Sequence, residues 1–275
     1  MCPFLHLGPL AIPTYGLMVA LALMTAAYAM DADFRRREIG ADAYHIILVA
    51  GLAGLVTSRI YSVLETPREF FSHPWPMLFS RYGFTWFGGF LGGAIALVFM
   101  ARRYRVPMLQ FLDVASPAAA AGYAIGRIGC LLSGDGDYGV PTSLPWSMSF
   151  PNGLVPTTQR VHPTPIYEFL AWMAIAAFLW RRGPRAGEVP RPQGEVFCDY
   201  LLLTGVARFL VEFIRINPHV LFGLTNAQIV SLGCVIVGGV LLWRIKGAPQ
   251  SAETARRVPP RAAARAAGRH RSHSA

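Results

Sequence analysis

The chain has 275 residues, of which 53% are hydrophobic and only 15% are charged. The hydrophobic residues form long uninterrupted runs, which excludes an ordinary soluble domain and predicts an integral membrane protein. The net charge of +10 does not indicate a nucleic-acid-binding protein. The basic residues lie in short clusters between apolar runs and in the tail, where anionic lipid explains them better.

Seven apolar runs each have about the 20 residues that cross ~30 Å of hydrocarbon. The first run follows a terminus without Lys or Arg, so it is interpreted as a retained span and not as a cleaved secretory signal. The sequence therefore predicts an all-α integral membrane protein with seven transmembrane helices, at 12–30, 45–64, 84–101, 109–132, 166–180, 196–214 and 226–243.

Clusters of arginines follow the first, third and fifth runs, and the tail is basic throughout. The other connections hold only Arg68, Arg81, Arg160 and Arg215. By the positive-inside rule, we expect an external N-terminus and a cytoplasmic C-terminus. Residues 133–165 are then external, and their Gly, Pro, Asp and Trp content predicts a small folded cap on a membrane domain formed by residues 1–246. Residues 247–275 are expected to be a disordered cytoplasmic tail.

The chain contains four cysteines, and none belongs to a Cys-x-x-Cys pair or a His-rich segment. We therefore expect no disulfide framework, metal site or cofactor. Cys130, Cys198 and Cys234 lie in or beside apolar runs, where a free thiol most often acts as a small apolar residue.

Arg127 lies in an apolar run that carries no charge after Asp113. A guanidinium within the bilayer costs several kcal/mol unless it is paired or hydrated, so Arg127 is a candidate functional residue. The alternative is a side chain that extends from near a helix end to the lipid headgroups.

The sixth run places Arg208, Glu212 and Arg215 at i, i+4 and i+7, within about 40° of one helical face. Together with Arg59 and Arg127, these arginines outnumber Glu212, which we take as the one intramembrane carboxylate. Glu212 and Arg208 alone could form a structural ion pair. The surplus of positive charge instead favours an anion, and apolar walls favour a phospholipid headgroup in an outward-opening cavity.

Several motifs between Tyr15 and Trp243 resemble those of one enzyme family. They are Tyr15-Gly16, Arg59, Gly126-Arg127-Ile128-Gly129 with Tyr138-Gly139, the segment HPTPIYE at 162–168, and GVARFLVEFIR at 205–215. The chain resembles the prolipoprotein diacylglyceryl transferases of the bacterial inner membrane. These enzymes move the diacylglyceryl group of phosphatidylglycerol to the lipobox cysteine of a prolipoprotein and release glycerol phosphate.

The resemblance implies that Arg127 and Arg208 bind the headgroup phosphate and that Glu212 orients Arg208. Tyr15 would border the lipid, and further substrate contacts are expected from Arg59, Asp135, Asp137, Gly139, His162 and Arg215. The implied partners are phosphatidylglycerol, a lipobox peptide and membrane lipids.

The chain departs from the family pattern at two positions. Phe87 stands where the family has a histidine that is often proposed as the thiol base, and Cys130 stands where an asparagine is common. If that imidazole takes the thiol proton, Phe87→His would raise the rate at pH 7. Other candidate bases are Asp135, Asp137 and His162, although the aspartates could cap turns and His162 could orient the cap. Alternatively, the arginines could stabilise the thiolate without a base.

One alternative function is that of a non-catalytic or altered-acceptor relative that retains the phospholipid cavity. A small-solute transporter is less favoured, because the chain shows neither repeated halves nor paired broken helices.

Overall fold

The computed structural model describes residues 2–8, 10–72, 74–75, 85–183 and 191–247. Arg81, Arg185 and the predicted tail beyond residue 247 lie outside these ranges. The described residues are mostly helical. Their helices are α1 (Thr14–Arg36), α2 (Ala43–Glu65), α3 (Pro67–Ser72), α4 (Trp86–Arg103), α5 (Met108–Ser133), α6 (Thr164–Arg182), α7 (Glu195–Val211) and α8 (Asn226–Gly247).

The seven long helices lie at the seven predicted apolar runs, and the short α3 is an additional element. Among the described residues, α1, α2 and α8 are long and apolar enough to cross a membrane by length and composition. The membrane character predicted from the sequence is therefore supported. Seven crossings and a single 1–246 membrane domain stay predictions.

Three antiparallel hairpins depart from the predicted all-α fold. They are β1–β2 (Phe4–Leu7 and Leu10–Pro13), β3–β4 (Met148–Phe150 and Thr157–Val161) and β5–β6 (His219–Leu221 and Leu224–Thr225). Each has strands of five residues or fewer, at or below the short end of the roughly 4–8 residues over which an alternating apolar pattern identifies a strand.

The helices pack mainly in the pairs α1–α5, α2–α4, α5–α6 and α7–α8. Small residues allow two of these pairs to approach closely. A Cβ at Gly122 of α5 would lie 3.3 Å from the Ala22 carbonyl oxygen of α1, and one at Gly88 of α4 would lie 2.6 Å from the Thr57 carbonyl oxygen of α2. Such close backbone approach is the usual basis of helix association in membranes, where lipid removes the hydrophobic driving force.

Buried contacts connect helix termini at the end of the bundle where α6 ends and α7 begins. Arg36 of α1 donates a hydrogen bond of 2.9 Å to the Trp180 carbonyl oxygen and stacks over the Trp180 ring. Asp113 of α5 accepts hydrogen bonds from the backbone nitrogens of Gly194 and Phe197, at 2.7 and 2.9 Å. The first amides of α7 therefore find their acceptor on a neighbouring helix.

At the other end, which we call the cap end, α5 ends, α6 begins and the connection 134–163 folds over the helices. Gly134 ends α5 in the left-handed conformation with φ of 59°, which favours glycine. The ring of Tyr138 stacks on Phe150, and Val161 completes a small buried core. Leu154 N donates to the Ser133 carbonyl oxygen at 2.9 Å, so this core is fixed to the end of α5.

The structure corrects the predicted geometry of the sixth run. The α-helix ends at Val211, residues Glu212–Ile214 form a 3₁₀ turn, and Arg215 has an extended backbone with ψ of 158°. Arg208, Glu212 and Arg215 therefore do not share one helical face. Arg208 and Glu212 still pair at the predicted i, i+4 spacing, whereas Arg215 reaches the cluster because the chain turns after Val211.

Candidate functional site

Six charged side chains from four segments meet at the cap end, and we call them the charge cluster. Three are guanidinium groups and three are carboxylates, so the cluster has no net charge when all are ionised. Its members are Arg127 of α5, Asp137 of the cap, Glu168 of α6, and Arg208, Glu212 and Arg215 at the end of α7.

Glu168 is the central carboxylate, and its side chain is 0% exposed. It accepts hydrogen bonds from Arg127 Nη1 at 3.1 Å, Arg208 Nη1 at 2.7 Å and Arg215 Nη1 at 3.3 Å. The Tyr123 hydroxyl donates a fourth bond of 3.0 Å. A buried carboxylate requires this many donors to offset its desolvation.

Glu212 is also buried, and it connects the end of α7 to the following hairpin. Its Oε2 lies 2.8 Å from Arg208 Nη2, while Oε1 accepts hydrogen bonds from Asn217 Nδ2 at 2.5 Å and from Thr225 Oγ1 at 2.9 Å. Arg215 Nε lies 3.6 Å from Oε2, too far for a hydrogen bond. The role of Glu212 in orienting Arg208 stays a prediction, for which the 2.8 Å distance between Oε2 and Arg208 Nη2 provides the geometry.

Asp137 links the cap to the cluster. Its carboxylate accepts a hydrogen bond of 2.5 Å from Arg127 Nη1 and another from Arg215 Nη2. Thr164 Oγ1 donates to the Asp137 carbonyl oxygen at 2.5 Å, which fixes the backbone beside the start of α6. Burial alone would raise the pKa of Asp137, but the guanidinium groups of Arg127 and Arg215 hold that pKa below its usual value.

The predicted surplus of positive charge is wrong for this cluster. Glu168 and Asp137 supply two carboxylates that the sequence-based count omitted, and together with Glu212 they balance the three arginines. Glu168 could have been noticed as an acidic residue inside the apolar run 166–180.

Guanidinium donors nevertheless remain for a further acceptor. Among the described residues, Arg127 donates its hydrogen bonds to Asp137 and Glu168 through Nη1, and its Nε and Nη2 donate none. The side chains of Arg127 and Arg208 are 17% and 21% exposed, whereas Glu168 and Glu212 are fully buried. The accessible part of the cluster therefore comprises Arg127, Arg208 and Asp137, whose side chain is 29% exposed, while Glu168, Glu212 and Arg215 lie behind it.

Gly139 holds the backbone beside the cluster. It forms an antiparallel bridge with Arg215, and the next residue, Val140, donates its N–H to the Ile214 carbonyl oxygen at 2.8 Å. A Cβ at Gly139 would collide with that carbonyl and would lie 2.9 Å from the Cβ of His162. This close approach brings Arg215 next to Asp137.

Tyr15, Cys130 and Asp135 lie beside the cluster. Tyr15 of α1 packs on Gly129, where an added Cβ would lie 3.3 Å from the tyrosine ring. The Cys130 sulfur and the carboxylate oxygens of Asp135 and Asp137 lie within 4.8 Å of one another. This spacing would suit a small cation, but Arg127 and Arg215 already neutralise Asp137.

His162, Arg59 and Phe87 differ from the cluster residues in position. His162 Nδ1 contacts the Tyr167 hydroxyl at 3.3 Å, and its carbonyl oxygen accepts the Gly139 N–H, which agrees with a role in orienting the cap. Arg59 lies on α2, and none of the ion pairs that join the cluster residues includes it. Phe87 lies in the first turn of α4, 67% exposed, on a helix that packs chiefly against α2.

Comparison with known proteins assigns this arrangement to a family. A family model described as prolipoprotein diacylglyceryl transferase matches residues 3–244. A protein of Paracidovorax citrulli is 33% identical over 261 residues, which cover 87% of this chain and 93% of that protein. One of Synechococcus elongatus is 32% identical over 249 residues, covering 86% and 85%, and one of Clostridium tetani is 30% identical over 232 residues, covering 83% and 91%.

All three relatives are named phosphatidylglycerol–prolipoprotein diacylglyceryl transferase. The matched residues include six of the seven long helices in full, α8 as far as Arg244, and every member of the charge cluster. The chain therefore belongs to the prolipoprotein diacylglyceryl transferase family.

Proposed function

We propose that this protein transfers the diacylglyceryl group of phosphatidylglycerol to the lipobox cysteine thiol of a prolipoprotein and releases glycerol phosphate. The observation that carries the proposal is the pair of accessible guanidinium groups of Arg127 and Arg208 at the cap end of apolar helices. A phosphate on an acyl-chain lipid matches both the donors and their apolar surroundings. The names of the relatives support the same reaction.

In this reaction, Arg127 would bind the phosphate through Nε and Nη2, the two donors that its ion pairs leave available. Arg208, held by Glu168 and Glu212, would supply a second guanidinium. The acceptor sulfur forms a bond to the glyceryl carbon while the bond from that carbon to the phosphate oxygen breaks. The departing phosphate keeps the electron pair, and the prearranged guanidinium groups stabilise its growing charge.

The carboxylates would act as positioning residues. Three arginines at such short distances repel one another, and Glu168, Glu212 and Asp137 offset this repulsion while they fix the direction of each fork. The cluster has no net charge, so a surplus of positive charge does not attract the phosphate. The phosphate would instead be bound by the oriented N–H donors of the Arg127 and Arg208 guanidinium groups. Tyr15 and the surface of α1 would border the acyl chains.

We further propose that the cap end faces the outside of the bacterial inner membrane, with the C-terminus in the cytoplasm. The distribution of arginines between the connections supports this orientation. Phosphatidylglycerol would then enter from the outer leaflet, and the lipobox peptide would approach beneath the cap.

The test is glycerol phosphate release by purified protein supplied with phosphatidylglycerol vesicles and a lipobox peptide. Arg127→Ala and Arg208→Ala should each reduce the rate by about 10²-fold or more, as expected on removal of a donor that stabilises developing charge. Lys at either position should rescue poorly, because one ammonium cannot replace a planar fork.

Arg103→Ala, an exposed arginine at the end of α4, is the matched control and should retain the wild-type rate. Phospholipid binding without release of glycerol phosphate by the wild type would instead support a non-catalytic relative.

A further inference from the structure

The proposed reaction produces a proton that must leave the acceptor thiol, and the histidine of the family pattern is absent. A thiol has a pKa of about 8.5, so only a small fraction is thiolate at neutral pH. A general base close to the thiol would raise the rate. This base must lie beside the guanidinium groups that are proposed to hold the phosphate.

Most acidic groups at the cap end are unsuited to accept this proton. Glu168 and Glu212 are fully buried and bonded to arginines. Asp137 is bonded to two arginines, and its pKa lies below its usual value. A carboxylate stabilised in this way is a weak base.

Asp135 differs from these three carboxylates. Among the described residues it has no arginine partner, although it lies only two residues from Asp137. Its Oδ1 accepts the Asp137 N–H at 3.2 Å, which fixes the side chain toward the cluster. Its carboxylate and that of Asp137 lie within 4.8 Å, and Asp137 contacts Arg127 directly. Asp135 is therefore separated from a phosphate-binding arginine by a single side chain.

The surroundings of Asp135 also favour proton uptake. Cys130 of α5 lies within 4.8 Å, so a sulfur atom already occupies the neighbourhood of this carboxylate. The other groups that face it are Asp137 in the same loop, Arg127 of α5 and Tyr15 of α1. Burial raises the pKa of Asp135, and the neighbouring Asp137 carboxylate raises it further. Hydrogen bonds from the Cys130 thiol and the Asp137 N–H lower that pKa, as does the more distant Arg127, but together they offset the increase only in part.

We propose that Asp135 is the general base that accepts the acceptor thiol proton, in place of the histidine that Phe87 replaces. This inference rests on the proposed function. The sulfur–carbon bond forms as the carbon–oxygen bond to phosphate breaks, the thiol proton moves to Asp135, and the electron pair leaves on glycerol phosphate. Asp135 then releases the proton to water.

The experiment compares the pH dependence of glycerol phosphate release for the wild type and Asp135→Asn. The asparagine keeps the hydrogen-bond acceptor for the Asp137 N–H but cannot take a proton. At pH 7 the variant should be slower by about 10² to 10⁴-fold. Its rate should rise about tenfold per pH unit toward the thiol pKa of about 8.5, where the thiol ionises in solution. The wild-type rate should reach its plateau at lower pH.

Asp135→Glu, which retains a carboxylate, should keep the shape of the wild-type profile. Phe87→His should change the wild-type rate by less than about threefold, because general-base catalysis is already present. Asp31→Asn, at the opposite end of the bundle, makes the same chemical change and should match the wild type at every pH.

A wild-type rate at pH 7 for Asp135→Asn would overturn the inference while leaving the proposed function intact. So would a deficit of equal size at every pH, because that is the behaviour of a positioning residue. A large increase in rate for Phe87→His would show that the wild type lacks a general base, and it would also overturn the inference. An inactive wild type would instead overturn the proposed function, and the inference with it.

Discussion

Glu168 shows how one buried carboxylate can organise several arginines. Its two oxygens accept hydrogen bonds from three guanidinium groups and one tyrosine, and none of its surface is exposed. A neutral replacement would leave the arginines with one carboxylate fewer in a low-dielectric environment. The effect should therefore reach both the stability of the fold and the geometry of the guanidinium groups that we propose bind the phosphate.

For Glu168→Gln we expect the free energy of unfolding to fall by about 3–5 kcal/mol, the usual result of removing one partner of a buried ion pair. Transferase activity should be lost with it. Thermal unfolding in detergent and glycerol phosphate release measure the two effects.

Glu195→Gln is the matched control, because Glu195 is a buried glutamate paired with Arg182 at the opposite end. It should lose stability while the folded protein keeps its activity. Full activity of Glu168→Gln would contradict the organising role of Glu168.

Among the elements, the segment after α7 brings Arg215 into the cluster. The α-helix gives way to a 3₁₀ turn, and the backbone then pairs with Gly139 of the cap. Glu212 accepts hydrogen bonds from Asn217, just before β5, and Thr225, in β6. The cap therefore holds the backbone of Arg215, and the hairpin holds Glu212, three residues before it.

Gly139→Ala should reduce activity by at least tenfold, because its Cβ would push the cap away from Ile214 and separate Asp137 from Arg215. Gly126→Ala tests whether any alanine in this region is harmful. A Cβ there meets nothing within 4 Å and lies in a helix, so it should leave activity unchanged and slightly increase stability. Equal activity of the two variants would contradict the close-approach argument.

In the whole molecule, the helix termini separate into two ends that match the alternation of arginines in the sequence. One end contains the contact between Arg36 and Trp180 and the hydrogen bond from Gly194 to Asp113. It also contains Glu195, which contacts both Arg182 and Lys246. Arg127, Asp137, Glu168 and Arg215 lie at the other. An antiparallel bundle with this segregation can span a membrane with its arginine clusters on one side.

Reporter fusions after Arg37, Arg105, Arg185 and Lys246 should give cytoplasmic signals, while a fusion near Asp137 should give an external one. Alkaline phosphatase and fluorescent protein fusions report the two sides. A cytoplasmic signal at Asp137 would contradict the proposed entry of lipid from the outer leaflet.

The helices and the family could be predicted from the sequence because both depend on local features. The length of an apolar run sets the length of a helix, so the run 109–132 predicted α5 at Met108–Ser133 almost to the residue. The family motifs are likewise short stretches of sequence, and they predicted Arg127, Arg208 and Glu212 as site residues.

The partners of these residues were decided only by the tertiary structure. Glu168 and Arg208 are 40 residues apart, and Asp137 and Arg215 are 78 apart, so their pairing depends on which helices and loops lie side by side. Counting charges in the apolar runs gave a surplus of positive charge, because it omitted Glu168 and the cap aspartate that enter the cluster. The same count could not show that Asp135 lacks an arginine partner, since ionic pairing is a property of positions in space and not of positions along the chain.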